Sequence, residues 1–315
     1  VLYVLRAGRD RSLRSALLAA LFLLLQAYAE LTFVSFLLIF IALYALYELI
    51  RKALASRELR ITDCELPSRL FLRNFVVLVI LFALGIIPFL ANMLPDLRAE
   101  GDFFTSGGGF ADVFSADLAG YLLPTQLHLL WGRLAAAFAF PHDKGQHLYL
   151  GYSVMLLAAW GLWPGRRLPT VRFWGLSALF FFLLTLGPTL RFNGHDTGVP
   201  GPFALIARLP LFKGNRYPSR YSVMLVLSCA VLASFGLRWL FQLFQRETRE
   251  GKKKGKERRE KREKRGASSF ISFVFLIPLV SLLFLFEHLS IPLPLSDMRV
   301  PVIYERIAAE PGDFA

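Results

Sequence analysis

Long apolar blocks separated by charged segments dominate the pattern of this chain. A membrane-spanning helix needs about 20 mostly apolar residues to cross about 30 Å of hydrocarbon. On this basis, seven blocks predict transmembrane helices, at residues 15–29, 31–50, 75–94, 147–164, 173–190, 221–243 and 270–288. The pattern therefore predicts an all-α, polytopic integral membrane protein with about seven transmembrane helices, whose helical domain covers residues 1–288.

The composition agrees with this reading. The chain has 315 residues, of which 55% are hydrophobic and 19% are charged, whereas soluble domains have about 25% charged residues. Its 30 Phe, 10 Tyr and 5 Trp exclude an intrinsically disordered chain. Two cysteines, Cys64 and Cys229, are too few for a disulfide scaffold. The formal net charge of +13 must then belong to the loops.

Basic residues are concentrated in every second loop, and this predicts the orientation because cytoplasmic loops carry an excess of Lys and Arg. The basic segments are the stretch before the first span and residues 51–74, 165–172 and 246–265. We therefore expect the N-terminus to be cytoplasmic and the C-terminus external. In this orientation residues 245–269 form a basic cytoplasmic linker, and residues 95–146 and 191–220 form external loops. Residues 289–315 are then the start of an external C-terminal segment.

Segment 246–265 holds 12 basic residues against five Glu. One interpretation is binding of anionic lipid or nucleic acid. The other, which we favour, is a solvated cytoplasmic linker whose charge sets the topology. We therefore expect membrane lipids as partners and no nucleic acid.

The two external loops carry opposite charge. Loop 95–146 has six acidic and three basic residues, and loop 191–220 has five basic residues and one acid. Arg216 and Arg220 directly precede a span, so we expect them at the depth of the lipid headgroups. Guanidinium groups bind phosphate through paired hydrogen bonds. The candidate lipid-phosphate-binding residues are Arg208, Lys213, Arg216 and Arg220; the alternative is that they only reach ordinary phospholipid phosphates.

Asp112 and Asp117 in the acidic loop are the candidate catalytic residues. A carboxylate there is suited to deprotonate an acceptor hydroxyl, while the arginines stabilise charge on a departing lipid phosphate. The plain alternative for each acid is an exposed loop residue or a helix cap. The sequence contains no HExxH, P-loop, GxSxG or Rossmann motif, so no cofactor is evident, and the sequence leaves a divalent-metal requirement open.

Three stretches carry a family resemblance. They are Ser115–Leu118 with His128–Gly132, Tyr149–Tyr152 at the start of a span, and Leu186–Pro188 followed by Leu209–Phe212 and Arg216–Tyr221. Within about residues 110–240 they resemble bacterial membrane proteins of the GT-C glycosyltransferase superfamily, the YfhO-like proteins in particular. The resemblance implies transfer of a sugar from a polyprenyl-phosphate donor to a lipid or cell-envelope acceptor, on the outer face of the bacterial inner membrane.

One departure from the family pattern concerns the catalytic acid. Family members carry it in a large external loop after the first span, whereas here the first two spans meet in a tight turn at Glu30. We expect the corresponding loop to lie upstream of Val1. In that case Asp112 and Asp117 shape the donor or acceptor pocket instead of acting on the substrate.

Two other functions fit the same pattern. A non-enzymatic lipid or polysaccharide transporter would use the external arginines to capture its cargo, and it requires a polar path through the spans. An envelope scaffold would use the basic linker as its partner site. Sugar transfer, flux without a covalent product, and loss of function on deletion of 248–266 distinguish the three.

Overall fold

The computed structural model describes residues 1–9, 12–59, 65–100, 110–141, 145–208, 217–253 and 277–291, together with residues 304 and 307. Helices dominate this part of the chain. They are α1 (Leu2–Arg9), α2 (Arg14–Ala29), α3 (Leu31–Leu59), α4 (Glu65–Glu100), α5 (Phe110–Val113), α6 (Gly132–Ala136), α7 (Tyr152–Gly165), α8 (Pro169–Thr185), α9 (Phe203–Ile206), α10 (Ser222–Lys253) and α11 (Ile277–Glu287). Every predicted span overlaps one of these helices.

Three of the described helices contain a stretch that is long and apolar enough to cross a membrane. These stretches are Leu31–Leu54, Arg69–Asp96 and Pro218–Leu243. Only 22% of the Arg69–Asp96 stretch is buried within the protein, so most of its apolar surface faces outward. An apolar helix that turns most of its surface outward is typical of a membrane environment. Shorter apolar helices, α2, α8 and α11, accompany the three long ones.

The N-terminal helices form one packed group, in which α2 contacts α1, α3 and α4. Asn74 of α4 is fully buried, and its side-chain amide donates a hydrogen bond to the carbonyl of Ala7 in α1 at 3.0 Å. The Tyr28 hydroxyl of α2 donates to the Gly85 carbonyl of α4 at 3.0 Å. These bonds add polar contacts between helices whose packed surfaces are mainly apolar.

The second group is built on close contact between α7, α8 and α10. A Cβ at Gly161 of α7 would lie 2.0 Å from the Leu232 carbonyl oxygen, and a Cβ at Gly236 of α10 would lie 2.0 Å from the Leu157 carbonyl oxygen. The two backbones therefore touch, as small residues allow in membrane helix pairs. Buried hydroxyls of Ser177 in α8 and Ser228 in α10 are hydrogen-bonded at 2.9 Å.

The structure corrects the all-α expectation in one place. A two-stranded antiparallel hairpin, β1 (Thr189–Phe192) and β2 (His195–Pro200), lies at the start of the predicted loop 191–220. Asn193 and Gly194 connect the strands with φ of 51° and 79°, which is the geometry of a type I′ turn. The preceding helix ends at Thr185, short of the predicted boundary at residue 190, because Gly187 has a φ of +75° and Pro188 follows it.

Two ends of the helical assembly can be distinguished by their contacts. At one, which we call the basic end, Arg9 donates to the Thr170 hydroxyl at 3.1 Å, the Tyr47 hydroxyl donates to the Pro169 carbonyl, and Lys52 lies over the Phe71 ring. At the other, the loop end, the segments around residues 30, 114–121, 191 and 219–220 meet. The charge pattern predicts that the segments of the basic end are cytoplasmic and that those of the loop end are external. The contacts put the same segments together at each end. The side that each end faces stays a prediction.

Candidate functional site

Residues 114–121 run through the centre of the loop end. Their backbone amides donate hydrogen bonds in succession to three separate parts of the chain: Ala116 to the Thr185 carbonyl, Asp117 to that of Gln146, and Leu118 to that of Arg191. In return, the Phe114 carbonyl accepts a bond from the Ser219 amide at 3.1 Å. The segment that carries the predicted acids is therefore tied to the hairpin and to the turn before α10.

Asp117 is fully buried in this arrangement. Its Oδ1 accepts hydrogen bonds from the backbone amides of Ala119 at 2.8 Å and Asn193 at 3.0 Å, and its Oδ2 accepts one from the amide of Gly194 at 2.7 Å. Three amide donors replace the hydration that the carboxylate loses on burial. The geometry gives Asp117 the task of holding the hairpin turn, and it leaves the carboxylate without surface for a substrate hydroxyl.

Asp112 has a different environment, because its side chain is only partly buried. The Thr189 hydroxyl at the start of β1 donates to its Oδ1 at 2.8 Å. Nearby, Gly187 lies so close to Ser115 that a Cβ would be 1.7 Å from the Ser115 Oγ. Asp112 and Asp117 are thus both hydrogen-bonded to the β-hairpin, but the side chain of Asp112 stays partly accessible.

Arg220 lies at the loop end next to a carboxylate that is distant in sequence. Its Nη1 is 3.8 Å from the Oε1 of Glu30, and each side chain is 44% exposed. The Arg220 guanidinium also lies over the Tyr217 ring, 4.3 Å from its centre. The Tyr217 ring in turn packs on Phe114, with ring centres 4.4 Å apart. The Glu30–Arg220 pair is therefore accessible to solvent. Tyr217 connects it to Phe114, which belongs to the segment that carries Asp117.

The other predicted phosphate-binding residues are only partly covered by the structure. Arg208 lies exposed just after α9, while Lys213 and Arg216 lie outside the described residues. Within the described part of the chain, no ion pair joins Asp112 or Asp117 to Arg208 or Arg220. The segments that carry the predicted acids and Arg220 are thus joined by a backbone hydrogen bond, from the Ser219 amide to the Phe114 carbonyl, and not by an ion pair between those side chains.

Glu30 was not among the predicted site residues, although a signal for it was present. It is the one charged residue between the two apolar blocks 15–29 and 31–50. A charge at the tip of a tight helical hairpin has to lie at the end of the helices. What the sequence does not indicate is its partner, which follows from the packing of α2 and α3 against the rest of the chain.

Two histidines, His128 in the predicted external loop 95–146 and His147 at the start of the next predicted span, have structural hydrogen bonds. His128 is buried, its Nδ1 accepts from the amides of Leu130 and Trp131, and its Nε2 donates to the Phe286 carbonyl at 2.9 Å. His147 Nε2 donates to the Leu123 carbonyl at 2.7 Å. The described residues contain no group of three or more His, Cys, Asp or Glu side chains placed to hold a metal ion.

We compared the chain with models of protein families, with curated proteins and with solved structures, and none of the three comparisons found a match.

Proposed function

We propose that this chain is the helical membrane part of a GT-C-like glycosyltransferase with about seven spans, a cytoplasmic N-terminus and an external C-terminus. It transfers a sugar from a polyprenyl-phosphate donor to a lipid or cell-envelope acceptor at the outer face of the bacterial inner membrane. One observation carries the proposal: an accessible guanidinium and an accessible carboxylate, Arg220 and Glu30, lie 3.8 Å apart at the loop end.

The role of Arg220 follows from its position at the start of the apolar stretch Pro218–Leu243. A guanidinium there lies at the depth of a lipid phosphate, to which it donates paired hydrogen bonds. Arg208, Lys213 and Arg216 precede it in the same basic segment and add positive charge. The donor phosphate competes with Glu30 for Arg220, and this releases the carboxylate when the donor binds.

The chemical step needs a base and a stabilised leaving group. The acceptor hydroxyl oxygen forms a bond to the anomeric carbon, and the bond from that carbon to the phosphate oxygen breaks. Polyprenyl phosphate leaves with the electron pair, and Arg220 stabilises its charge. The hydroxyl proton passes to a carboxylate. Glu30 and Asp112 are two accessible acids at the loop end and are our candidates for this role, and Asp117 positions the hairpin to which Asp112 is bonded.

The test is transfer of labelled sugar by the purified chain in liposomes, with polyprenyl-phosphate glucose and polyprenyl-phosphate mannose as donors. We expect Arg220→Ala to weaken donor binding by about tenfold, which is the loss of one charge-assisted contact. The matched control is Arg133→Ala, because Arg133 is also exposed and lies in the other predicted external loop.

The kcat of variants at Glu30 and Asp112 identifies which carboxylate serves as the general base. Loss of a general base lowers kcat by about 10²–10⁴-fold, so either Glu30→Gln or Asp112→Asn must do so with donor binding retained. Donor binding that Arg220→Ala leaves unchanged would contradict the phosphate site. Donor flux across the membrane without a covalent product would favour the transporter over the enzyme.

A further inference from the structure

A cavity of about 530 Å³ lies at the basic end, far from the Glu30–Arg220 pair. It is formed by α1, α3, α4 and α8, and its lining includes Tyr44, Phe71 and Trp174. Glu30 lies next to the first residue of α3, whereas Arg51 lies some 20 residues further along the same helix. At 1.5 Å per residue this separates the cavity from the loop end by about 30 Å.

The charged residues that line the cavity, among those described, are Arg9, Arg51, Lys52 and Glu48. Glu48 is already paired, because its Oε2 accepts bonds from Arg51 Nη2 at 2.5 Å and Arg51 Nε at 3.2 Å. Arg9 donates to a neutral partner, the Thr170 hydroxyl. In the described part of the chain, neither Arg9 nor Lys52 forms an ion pair. The cavity therefore keeps an excess of positive charge.

The Phe71 ring holds the Lys52 ammonium in place without neutralising it. The ammonium lies 3.8 Å from the centre of the Phe71 ring, and a cation–π contact of this kind positions the charge but leaves its hydrogen-bond donors free for a ligand. The guanidinium of Arg9, on α1, is held at Thr170, at the start of α8. Two cations on different helices, Arg9 and Lys52, thus line one cavity.

The depth of the cavity along the helices indicates what kind of anion it takes. Lys52 lies two residues before the end of the apolar stretch Leu31–Leu54, and Phe71 lies two residues after the start of the stretch Arg69–Asp96. Both mark the boundary where apolar helix surface gives way to polar chain, which is where lipid phosphates lie. Basic pockets between membrane helices at this depth bind phospholipid headgroups.

We infer that this cavity binds a phosphate group between Arg9 and Lys52, with the aromatic wall of Phe71 and Trp174 beside it. A phosphate offers several acceptor oxygens, which suits donors that converge from separate helices. The source of the phosphate is either an anionic phospholipid headgroup or a soluble phosphate compound. The inference does not depend on the proposed function, because the cavity lies at the other end of the helices.

Trp174 lines the cavity and serves as the reporter. The experiment places the full chain in phosphatidylcholine nanodiscs and measures quenching of tryptophan fluorescence as brominated phosphatidylglycerol is added. Trp174→Phe identifies the part of the signal that comes from this residue, and brominated phosphatidylcholine gives the background. A second arm titrates inorganic phosphate into the protein in detergent without phospholipid and follows the same signal.

We expect Arg9→Gln with Lys52→Met to weaken binding by about 100-fold, about tenfold for each charge removed. The charge-keeping pair, Arg9→Lys with Lys52→Arg, retains binding to within about tenfold. The matched control is Arg167→Gln, since Arg167 is exposed and is not part of the cavity lining.

Each outcome decides the inference or its source. Saturable quenching by phosphatidylglycerol alone, lost in the charge-removing pair, identifies a lipid headgroup. A response to inorganic phosphate that the same pair abolishes identifies a soluble phosphate. Absence of a Trp174-dependent response to both probes overturns the inference. So does equal binding by the charge-removing pair and the unmodified chain, or loss of binding in the folded charge-keeping pair.

Discussion

The Oδ2 of Asp117 accepts a hydrogen bond from the backbone amide of Gly194 at 2.7 Å, across a separation of 77 residues. The bond joins a segment between α5 and α6 to the turn of the β-hairpin. Asp117 is fully buried, and the bond itself is part-buried. A buried carboxylate with three amide donors is costly to remove, because its loss leaves these donors without their acceptor.

Asp117→Ala should therefore lower the free energy of unfolding by about 3 kcal/mol, because three backbone amides, one buried and two part-buried, lose a charged acceptor. Thermal unfolding of the purified protein in detergent measures the change. Asp196→Ala is the control: its Oδ1 accepts a single bond, from the Gly198 amide, and the residue is exposed. We expect a change within about 0.5 kcal/mol there. Equal effects of the two substitutions would contradict the structural role of Asp117.

The Glu30–Arg220 pair should contribute little to stability. Both side chains are 44% exposed and 3.8 Å apart, and exposed ion pairs contribute about 0–1 kcal/mol. A double-mutant cycle with Glu30→Gln and Arg220→Gln, read by thermal unfolding, should give a coupling below about 1 kcal/mol. A much larger coupling would indicate that the pair holds the helices together, and it would weaken its assignment as a site for ligands.

The contact between α7 and α10 should depend on the absence of a side chain at Gly161. A Cβ there would lie 2.0 Å from the Leu232 carbonyl oxygen, so Gly161→Ala must push the helices apart. We expect a loss of about 1–3 kcal/mol, typical of overpacking. Gly175→Ala in α8 is the matched control, because its Cβ would meet only the flexible end of Leu162 at 2.8 Å. Thermal unfolding should separate the two, and a Gly161→Ala protein as stable as the control would contradict the backbone contact.

Glu287, at the end of α11, should stabilise the start of α7. Its carboxylate accepts from the Ser153 amide at 3.0 Å and from the Ser153 hydroxyl at 2.7 Å, and a negative charge at a helix N-terminus is favourable. Glu287→Ala should cost about 1–2 kcal/mol, the range for loss of a helix cap.

Ser153→Ala separates the two kinds of donor that Glu287 binds, because it removes the Ser153 hydroxyl and keeps the Ser153 amide. It should therefore cost less than Glu287→Ala in the same thermal-unfolding measurement. If Ser153→Ala costs as much as Glu287→Ala, the cap contributes nothing beyond the hydroxyl contact.

Much of the helical organisation could be predicted, because apolar blocks of this length are a local signal. The predicted span 15–29 and helix α2 at Arg14–Ala29 agree to within one residue, and the tight turn at Glu30 lies where the two blocks meet. The ends were less certain. α4 begins at Glu65, well before the predicted residue 75. Hydropathy locates only the apolar part of a helix, and the polar turns that extend it carry no hydropathy signal.

The hairpin was missed although its signal was present. Asn193-Gly194 is the dipeptide that most strongly favours a type I′ turn, but hydropathy alone extends the preceding apolar block to residue 190. Here the competing signals were hydropathy, which is averaged over many residues, and turn chemistry, which depends on two. The local conformation followed the turn residues.

The amino-acid sequence by itself determined where the helices form and which segments carry charge, because hydropathy and helix length depend on neighbouring residues alone. Only the tertiary structure decided which polar groups meet. It buried Asp117 under the hairpin, left Asp112 accessible, and brought Glu30 to Arg220 and Arg9 to the same cavity as Lys52. These relationships join residues far apart in the chain, and they arise from the packing of whole helices, which no local pattern records.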